Sequence, residues 1–117
     1  MTIGTDIVEH RRFIEAINRN NGRLKERLFS EKELSCFLCD LDLAAVFSAK
    51  ESIAKALGTG FDNNLSWHDI EITLRNKSLR AGLSGRAAYL ADGRTLQVTA
   101  TRGIDRTLTC ALLAERS

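Results

Sequence analysis

The residues with chemical potential fall into two short stretches of the chain. Asp6 is an acid near the end of an apolar segment, just before a helical pattern begins. At that position a carboxylate is favoured by the positive end of the helix that follows, or it is held for chemistry. The second stretch contains Lys50, Glu51 and Lys55. Glu51 and Lys55 are spaced i, i+4 on a helix and can touch; Lys50 projects near the apolar side. Its ammonium either snorkels to water or reaches a buried anion. Gly58-Thr59-Gly60 follows immediately. It lacks Walker spacing and comes after a helix rather than before one, so on local grounds it reads as a helix C-cap and turn. Two separated acids with nearby lysines suit phosphate chemistry. A hard divalent cation is commonly held by one or two carboxylates plus substrate phosphates.

Charge is distributed unevenly. Between Glu9 and Arg27 there are six cations, Arg11, Arg12, Arg19, Arg23, Lys25 and Arg27, against three carboxylates. This excess exceeds the +2 of the whole chain. It describes either a solvated face or a docking stripe for an acidic partner. Nucleic acid is a poor fit, because the only aromatic in the segment, Phe13, falls on the apolar face and offers no stacking platform. The pI near 8.6 is also only mildly basic.

The elements that position these residues follow from periodicity. Residues 2–8 alternate as a strand, with Ile3, Thr5 and Ile7 on one face and Gly4, Asp6 and Val8 on the other. A helix is expected over 9–20, with His10, Phe13, Ile14 and Ile17 on one side and Arg12 and Arg19 together on the other. Ser30 and Glu33 form a capping box that opens a helix running to about Cys39. The clearest helix is 43–57, with an apolar stripe of Val46, Ala49, Ile53 and Leu57 opposite Ser48, Glu51 and Lys55. A polar loop follows to Ser66. Beyond it the period changes to two: Ile70, Ile72 and Leu74 define a strand, with further strands expected at 79–83, 95–101 and 107–114 and a short helix at 84–91. This order specifies an α+β fold, with helices packed on an antiparallel sheet.

Composition narrows the class. The chain has 117 residues, 44% hydrophobic and 27% charged, with no proline. One domain over 1–117 is expected, large enough to bury a core without staples. No apolar run approaches the ~18 residues of a membrane span, and MTIGTDIVEH does not read as a secretory leader. A cytoplasmic location without membrane attachment is the default. Cys36 and Cys39 have C-x-x-C spacing. A zinc site needs two more ligands, and His10 and His68 are isolated. A thioredoxin-like site needs a preceding strand. With Cys110, these are expected to be reduced, mostly buried thiols.

Taken together, four segments resemble the holo-acyl-carrier-protein synthase family of small phosphopantetheinyl transferases. They are Ile3 to Glu9 (IGTDIVE), Arg27 to Leu34 (RLFSEKEL), Phe47 to Gly60 (FSAKESIAKALGTG) and Leu65 to Ile72 (LSWHDIEI). The order and spacing match, and the coincidence of the first and third segments is specific. The resemblance implies the 4′-phosphopantetheinyl transferase-like α+β fold and a homotrimer with active sites between subunits. It implies transfer of the phosphopantetheine arm of coenzyme A to a serine of an apo acyl carrier protein, releasing adenosine 3′,5′-bisphosphate. Carried over by motif, Asp6 and Glu51 hold Mg²⁺, and Lys55 joins them as a catalytic residue beside the pyrophosphate. Lys50, Lys55, Gly58, Thr59, Gly60, Thr101 and Arg102 are the coenzyme A-binding set. Arg11, Arg12 and Arg19 face the acidic carrier.

The C-terminal half departs from the family pattern. The arginine that usually precedes the F-x-x-K-E stretch is Val46 here. The usual Gly-Lys-Pro is replaced within Asn76 to Gly82 (NKSLRAG), and the Ser/Thr-His pair is Thr101-Arg102. An arginine at 102 supplies positive charge for a phosphate but cannot titrate as histidine does. The alternative function is a non-catalytic relative that binds carrier protein or coenzyme A, distinguished by the absence of Mg²⁺-dependent turnover.

Overall fold

Glycine at position 4 shows how tightly the first strand lies on the central helix. A Cβ there would fall 2.0 Å from the Ser52 carbonyl oxygen and 2.7 Å from the Ala56 amide nitrogen. Only a residue without a side chain permits that approach. The computed structural model describes residues 1–61 and 64–115. Asp62 and Asn63, within the expected polar loop, lie outside the described residues.

Strand β1 (Thr2–Glu9) leads into α1 (His10–Ile17), α2 (Arg23–Leu28), α3 (Glu31–Cys36) and the long α4 (Asp40–Ala56). The chain then forms the β2 (Ile70–Arg75) and β3 (Ser78–Leu83) hairpin, α5 (Gly85–Ala91), β4 (Leu96–Arg102) and β5 (Arg106–Leu113). The antiparallel strands form two sheets, one ordered β1-β5-β4 and the other the β2-β3 pair. The alternation expected for β1 holds: Gly4 and Val8 are buried, whereas Ile3 and Ile7 are each 61% exposed. No helix among the described residues is long and apolar enough to cross a membrane.

Helix α4 organises the core. The apolar stripe Val46, Ala49 and Ile53 is fully buried, with Leu57 just past the helix end. The opposite side is not a solvated face, because Ser48 and Ser52 are fully buried as well. That side packs on β1 and β5. The end of α4 is a Schellman turn. Gly58 takes a left-handed φ of 85°, its amide donates to the Lys55 carbonyl, and the Thr59 amide donates to the Ala54 carbonyl.

Several boundaries differ from the sequence expectation. Helix α1 ends at Ile17 rather than 20. The Asn18 side chain donates to the Ile14 carbonyl, and Asn20, Asn21 and Gly22 all take positive φ, which no α-helix continues. Arg19 therefore lies beyond the helix that carries Arg12. Helix α2 was not expected; its signal is the i, i+4 pair Leu24 and Leu28 on a single short turn. The capping box is present, with Ser30 accepting from the Glu33 amide and Glu33 accepting from the Ser30 amide. The helix it opens stops at Cys36, and α4 begins earlier than expected, at Asp40. Asp40 and Asp42 occupy its first turn, where the helix dipole favours acids. Cys36 and Cys39 consequently flank a surface turn and are exposed, correcting the expectation of buried thiols; Cys110 is half-buried.

Candidate active site

Strand β1 and helix α4 bring the two separated acids of the sequence together. Asp6 sits two residues after Gly4, at the level where β1 crosses α4. Its Oδ2 accepts a hydrogen bond from Ser48 Oγ at 2.8 Å, and its Oδ1 accepts from Lys55 Nζ at 3.2 Å. The Lys55 ammonium also donates to the Thr5 carbonyl at 2.9 Å. Asp6 is thus held by α4, and it does not cap α1. Glu9 is the residue at the α1 N-cap.

Glu51 lies one turn before Lys55. Burial is the main cause that raises its proton affinity above the ordinary carboxylate range; the charge of Asp6 adds to the effect and the charge of Lys55 opposes it. Lys55, in contact with Asp6, stands one turn from Glu51 on α4, so the two carboxylates flank the same ammonium. Among the described residues no hydrogen bond reaches the Glu51 carboxylate. Two oxygen donors that gain from an intervening positive charge are the donor set that a hard divalent cation takes. Among the described residues no group of three or more His, Cys, Asp or Glu side chains assembles. Water, or phosphate oxygens of a substrate, would complete the coordination.

Lys50 requires a correction. Its ammonium is fully buried on another side of α4. There it donates to Glu33 Oε1 at 2.7 Å, to the Leu28 carbonyl at 2.7 Å and to the Trp67 carbonyl at 3.1 Å. Of the two readings its position allowed, the buried anion holds, and that anion is Glu33. A fully buried, triply bonded ammonium cannot face coenzyme A, so Lys50 leaves the binding set.

Thr101 and Arg102 lie elsewhere on the chain. Arg102 closes β4 and forms an ion pair with Asp42 in the first turn of α4. It lines a cleft with Lys77 of the β2–β3 turn and Ser78 at the start of β3. Asp42 and Glu51 are nine positions apart on α4, about 14 Å at the helical rise. Within one chain this second group does not join Asp6, Glu51 and Lys55. Val46, at the position of the missing arginine, is completely buried.

The basic segment forms two adjoining clefts instead of one helical stripe. Arg12 lines the first with Phe13, Leu28, Phe47 and Arg106, and Arg19 lines the second with Arg23 and Arg27. Ala16 and Leu24 border both, placing apolar surface between the guanidinium groups. Arg12, Arg19, Arg23 and Arg27 have no carboxylate partner among the described residues. Arg11 instead pairs with Glu15 at the surface. Arg106 was not anticipated, and no local pattern marks it, because it reaches the cleft from β5.

A model of the 4′-phosphopantetheinyl transferase superfamily matches residues 2–101. The chain is 42% identical over 100 residues to a holo-[acyl-carrier-protein] synthase of Thermoanaerobacter sp. (strain X514), covering 81% of this chain and 71% of the relative. It is 39% identical over 109 residues to the protein of that name from Desulforudis audaxviator (strain MP104C), covering 87% and 75%. Its fold superimposes on the Helicobacter pylori holo-[acyl-carrier-protein] synthase solved in complex with coenzyme A. The TM-score is 0.86 at 26% identity, covering 96% of this chain and 99% of that one. The Neisseria meningitidis protein of the same name gives a TM-score of 0.85 at 27% identity, covering 97% and 98%.

Proposed function

The chain belongs to the 4′-phosphopantetheinyl transferase superfamily, and from that premise we propose how its own residues carry out the transfer. It is a phosphopantetheinyl transferase that moves the 4′-phosphopantetheine arm of coenzyme A to a serine of an apo acyl carrier protein. The serine hydroxyl releases its proton to solvent as its oxygen bonds to the phosphorus that bears the pantetheine, the pyrophosphate bond breaks, and adenosine 3′,5′-bisphosphate leaves. The observation that carries the site assignment is the convergence of Asp6, Glu51 and Lys55 from two elements onto one surface point.

Asp6 and Glu51 hold Mg²⁺ in this reading. When bound, the cation supplies charge neutralisation on the pyrophosphate oxygens. Lys55, half exposed and adjacent to both acids, places its ammonium beside the departing phosphate. The Gly58-Thr59-Gly60 turn lies directly beyond Lys55 and offers a backbone edge to the same ligand. Thr101 and Arg102 take the nucleotide phosphates, with Arg102 exchanging Asp42 for phosphate. Because this second group lies away from Asp6 on one chain, a neighbouring copy supplies it. The outer face of the β1-β5-β4 sheet supports self-association. Ile3 and Ile7 are exposed there beside their register partners Leu112 and Leu108, and Leu108 is itself 47% exposed. We read the assembly as the homotrimer that the resemblance implies, with residues 1–117 of each copy forming one transferase domain. The free, exposed thiols of Cys36 and Cys39 favour a reducing, cytoplasmic location.

The deciding experiment mixes the protein with coenzyme A, Mg²⁺ and a panel of apo carrier proteins, then weighs each carrier by mass spectrometry. A gain of one phosphopantetheine arm, abolished by a chelator, is the expected result. A folded protein that binds coenzyme A but modifies no carrier would instead be the non-catalytic relative, with Val46 and Arg102 as the first residues to restore.

The carrier itself docks on the two basic clefts, where acidic side chains meet Arg12 and Arg19 and an apolar contact meets Ala16 and Leu24. Arg12→Glu and Arg19→Glu are each expected to raise the KM for the carrier about tenfold, leaving the KM for coenzyme A unchanged. Steady-state kinetics with each substrate varied in turn measures this. An unaltered carrier KM in both variants would remove the docking assignment.

A further inference from the structure

Beneath Asp6 lies a chain of hydroxyl groups that the transfer reaction does not itself require. Ser48 and Ser52 are one turn apart on α4 and face β5, where Thr109 is the direct cross-strand partner of Asp6. The three side chains are essentially inaccessible to water. Ser48 Oγ is 2.8 Å from Asp6 Oδ2 and 2.8 Å from Thr109 Oγ1; Thr109 Oγ1 is 2.6 Å from Ser52 Oγ and 2.9 Å from the Ser48 carbonyl.

Each hydroxyl has one proton, and an ionised carboxylate only accepts. The Ser48 proton therefore goes to Asp6. Thr109 must then be the donor to Ser48, its proton shared between the Ser48 hydroxyl and carbonyl oxygens. Ser52 in turn must donate to Thr109. All three donations run one way, from Ser52 through Thr109 and Ser48 to Asp6. Such aligned chains polarise one another in a low-dielectric interior.

We propose that Ser48, Thr109 and Ser52 form a positioning relay that orients the Asp6 carboxylate, tying Oδ2 to the protein interior and turning Oδ1, whose one partner among the described residues is the half-exposed Lys55 ammonium, outward as the oxygen that binds a divalent cation. Ser48 and Thr109 are positioning residues, because they act through Asp6. The proposal rests on the reading that Asp6 is a cation ligand. Outer partners of metal ligands act in this way by fixing ligand orientation.

The test titrates Mn²⁺ into the protein alone and follows the free-ion EPR signal, with the melting temperature recorded in parallel. Ser48→Ala suits a helix interior and removes only the hydroxyl; Thr109→Val removes the second donor at nearly constant shape. Each is expected to weaken Mn²⁺ binding about tenfold. In the double variant the loss is no larger than in Ser48→Ala alone, because one relay has been cut twice. A Ser48→Ala affinity within about twofold of the parent, or additive losses in the double variant, overturns the relay. Should Ser48→Ala fail to fold, the Thr109→Val affinity decides in the same way. Asp6→Asn separates the two levels. Lost binding there with normal binding in Ser48→Ala ends the relay alone, whereas retained binding in Asp6→Asn ends the cation-site reading and the relay with it.

Discussion

Replacing Glu51 with glutamine lowers phosphopantetheine transfer by about a thousandfold, some 4 kcal/mol of transition-state stabilisation. The substitution keeps the shape of the side chain and removes one of the two carboxylates that meet between β1 and α4. It also removes a repulsion from the native state. Burial first, and the Asp6 charge second, hold the Glu51 carboxyl protonated to higher pH than an ordinary glutamate. In the linkage relation the native state then binds more protons than the unfolded chain between the two pKa values. The stability contributed by Glu51 is complete below its unfolded pKa and is lost as pH rises through its folded pKa. Glu51→Gln therefore matches the parent in acid and is the more stable protein at neutral pH. Thermal melting of both proteins across pH, together with the carrier mass assay, measures the two effects. A parental transfer rate in Glu51→Gln would remove Glu51 from the active site, and a lower neutral-pH melting temperature would contradict the electrostatic account.

Removal of Glu33 is expected to destabilise the fold by about 3–5 kcal/mol. Its carboxylate is fully buried and accepts from Lys50 Nζ at 2.7 Å, the Ser30 amide at 2.9 Å and the Ile72 amide at 2.7 Å. One side chain thereby joins α3, α4 and β2. Glu33→Ala leaves a buried ammonium and two backbone donors without their acceptor. Lys50 is already pulled below its ordinary pKa by desolvation, against the hydrogen bond and charge of Glu33. Without that carboxylate it is driven towards the neutral amine. The paired change Glu33→Leu with Lys50→Met removes the unpaired charge and recovers only part of the loss, because the Ser30 and Ile72 amides still lack their acceptor. Urea denaturation of the single and paired variants provides the comparison. A loss under about 1 kcal/mol in Glu33→Ala would mean that water or rearrangement satisfies Lys50 instead. The consequence reaches the active site, because Lys50 immediately precedes Glu51 on the same helical turn.

Local order was legible wherever a single periodicity governed it. The alternation of β1 and β2, the Ser30–Glu33 capping box and the long central helix all follow from side-chain spacing of two or about 3.6. The family motifs likewise lie within continuous segments, so Asp6, Glu51 and Lys55 could be nominated before any contact was known. The partners across the fold were not legible. Helical spacing separated Ser48 from the apolar stripe of α4 but could not show that its side is covered by β1 and β5. Thr109 lies 61 residues from Ser48 in sequence, and only the β1–β5 register sets it beside Asp6. Lys50 had two readings until the packing of α3 supplied Glu33. The Arg12 and Arg19 stripe separated because α1 ends at Ile17 and Arg19 takes an extended backbone (φ −81°, ψ 159°), a backbone choice that side-chain spacing does not encode. Periodicity is a property of neighbours along the chain and determines which residues share a face. What that face meets depends on long-range packing, and so does the hydrogen bonding of every polar group buried there.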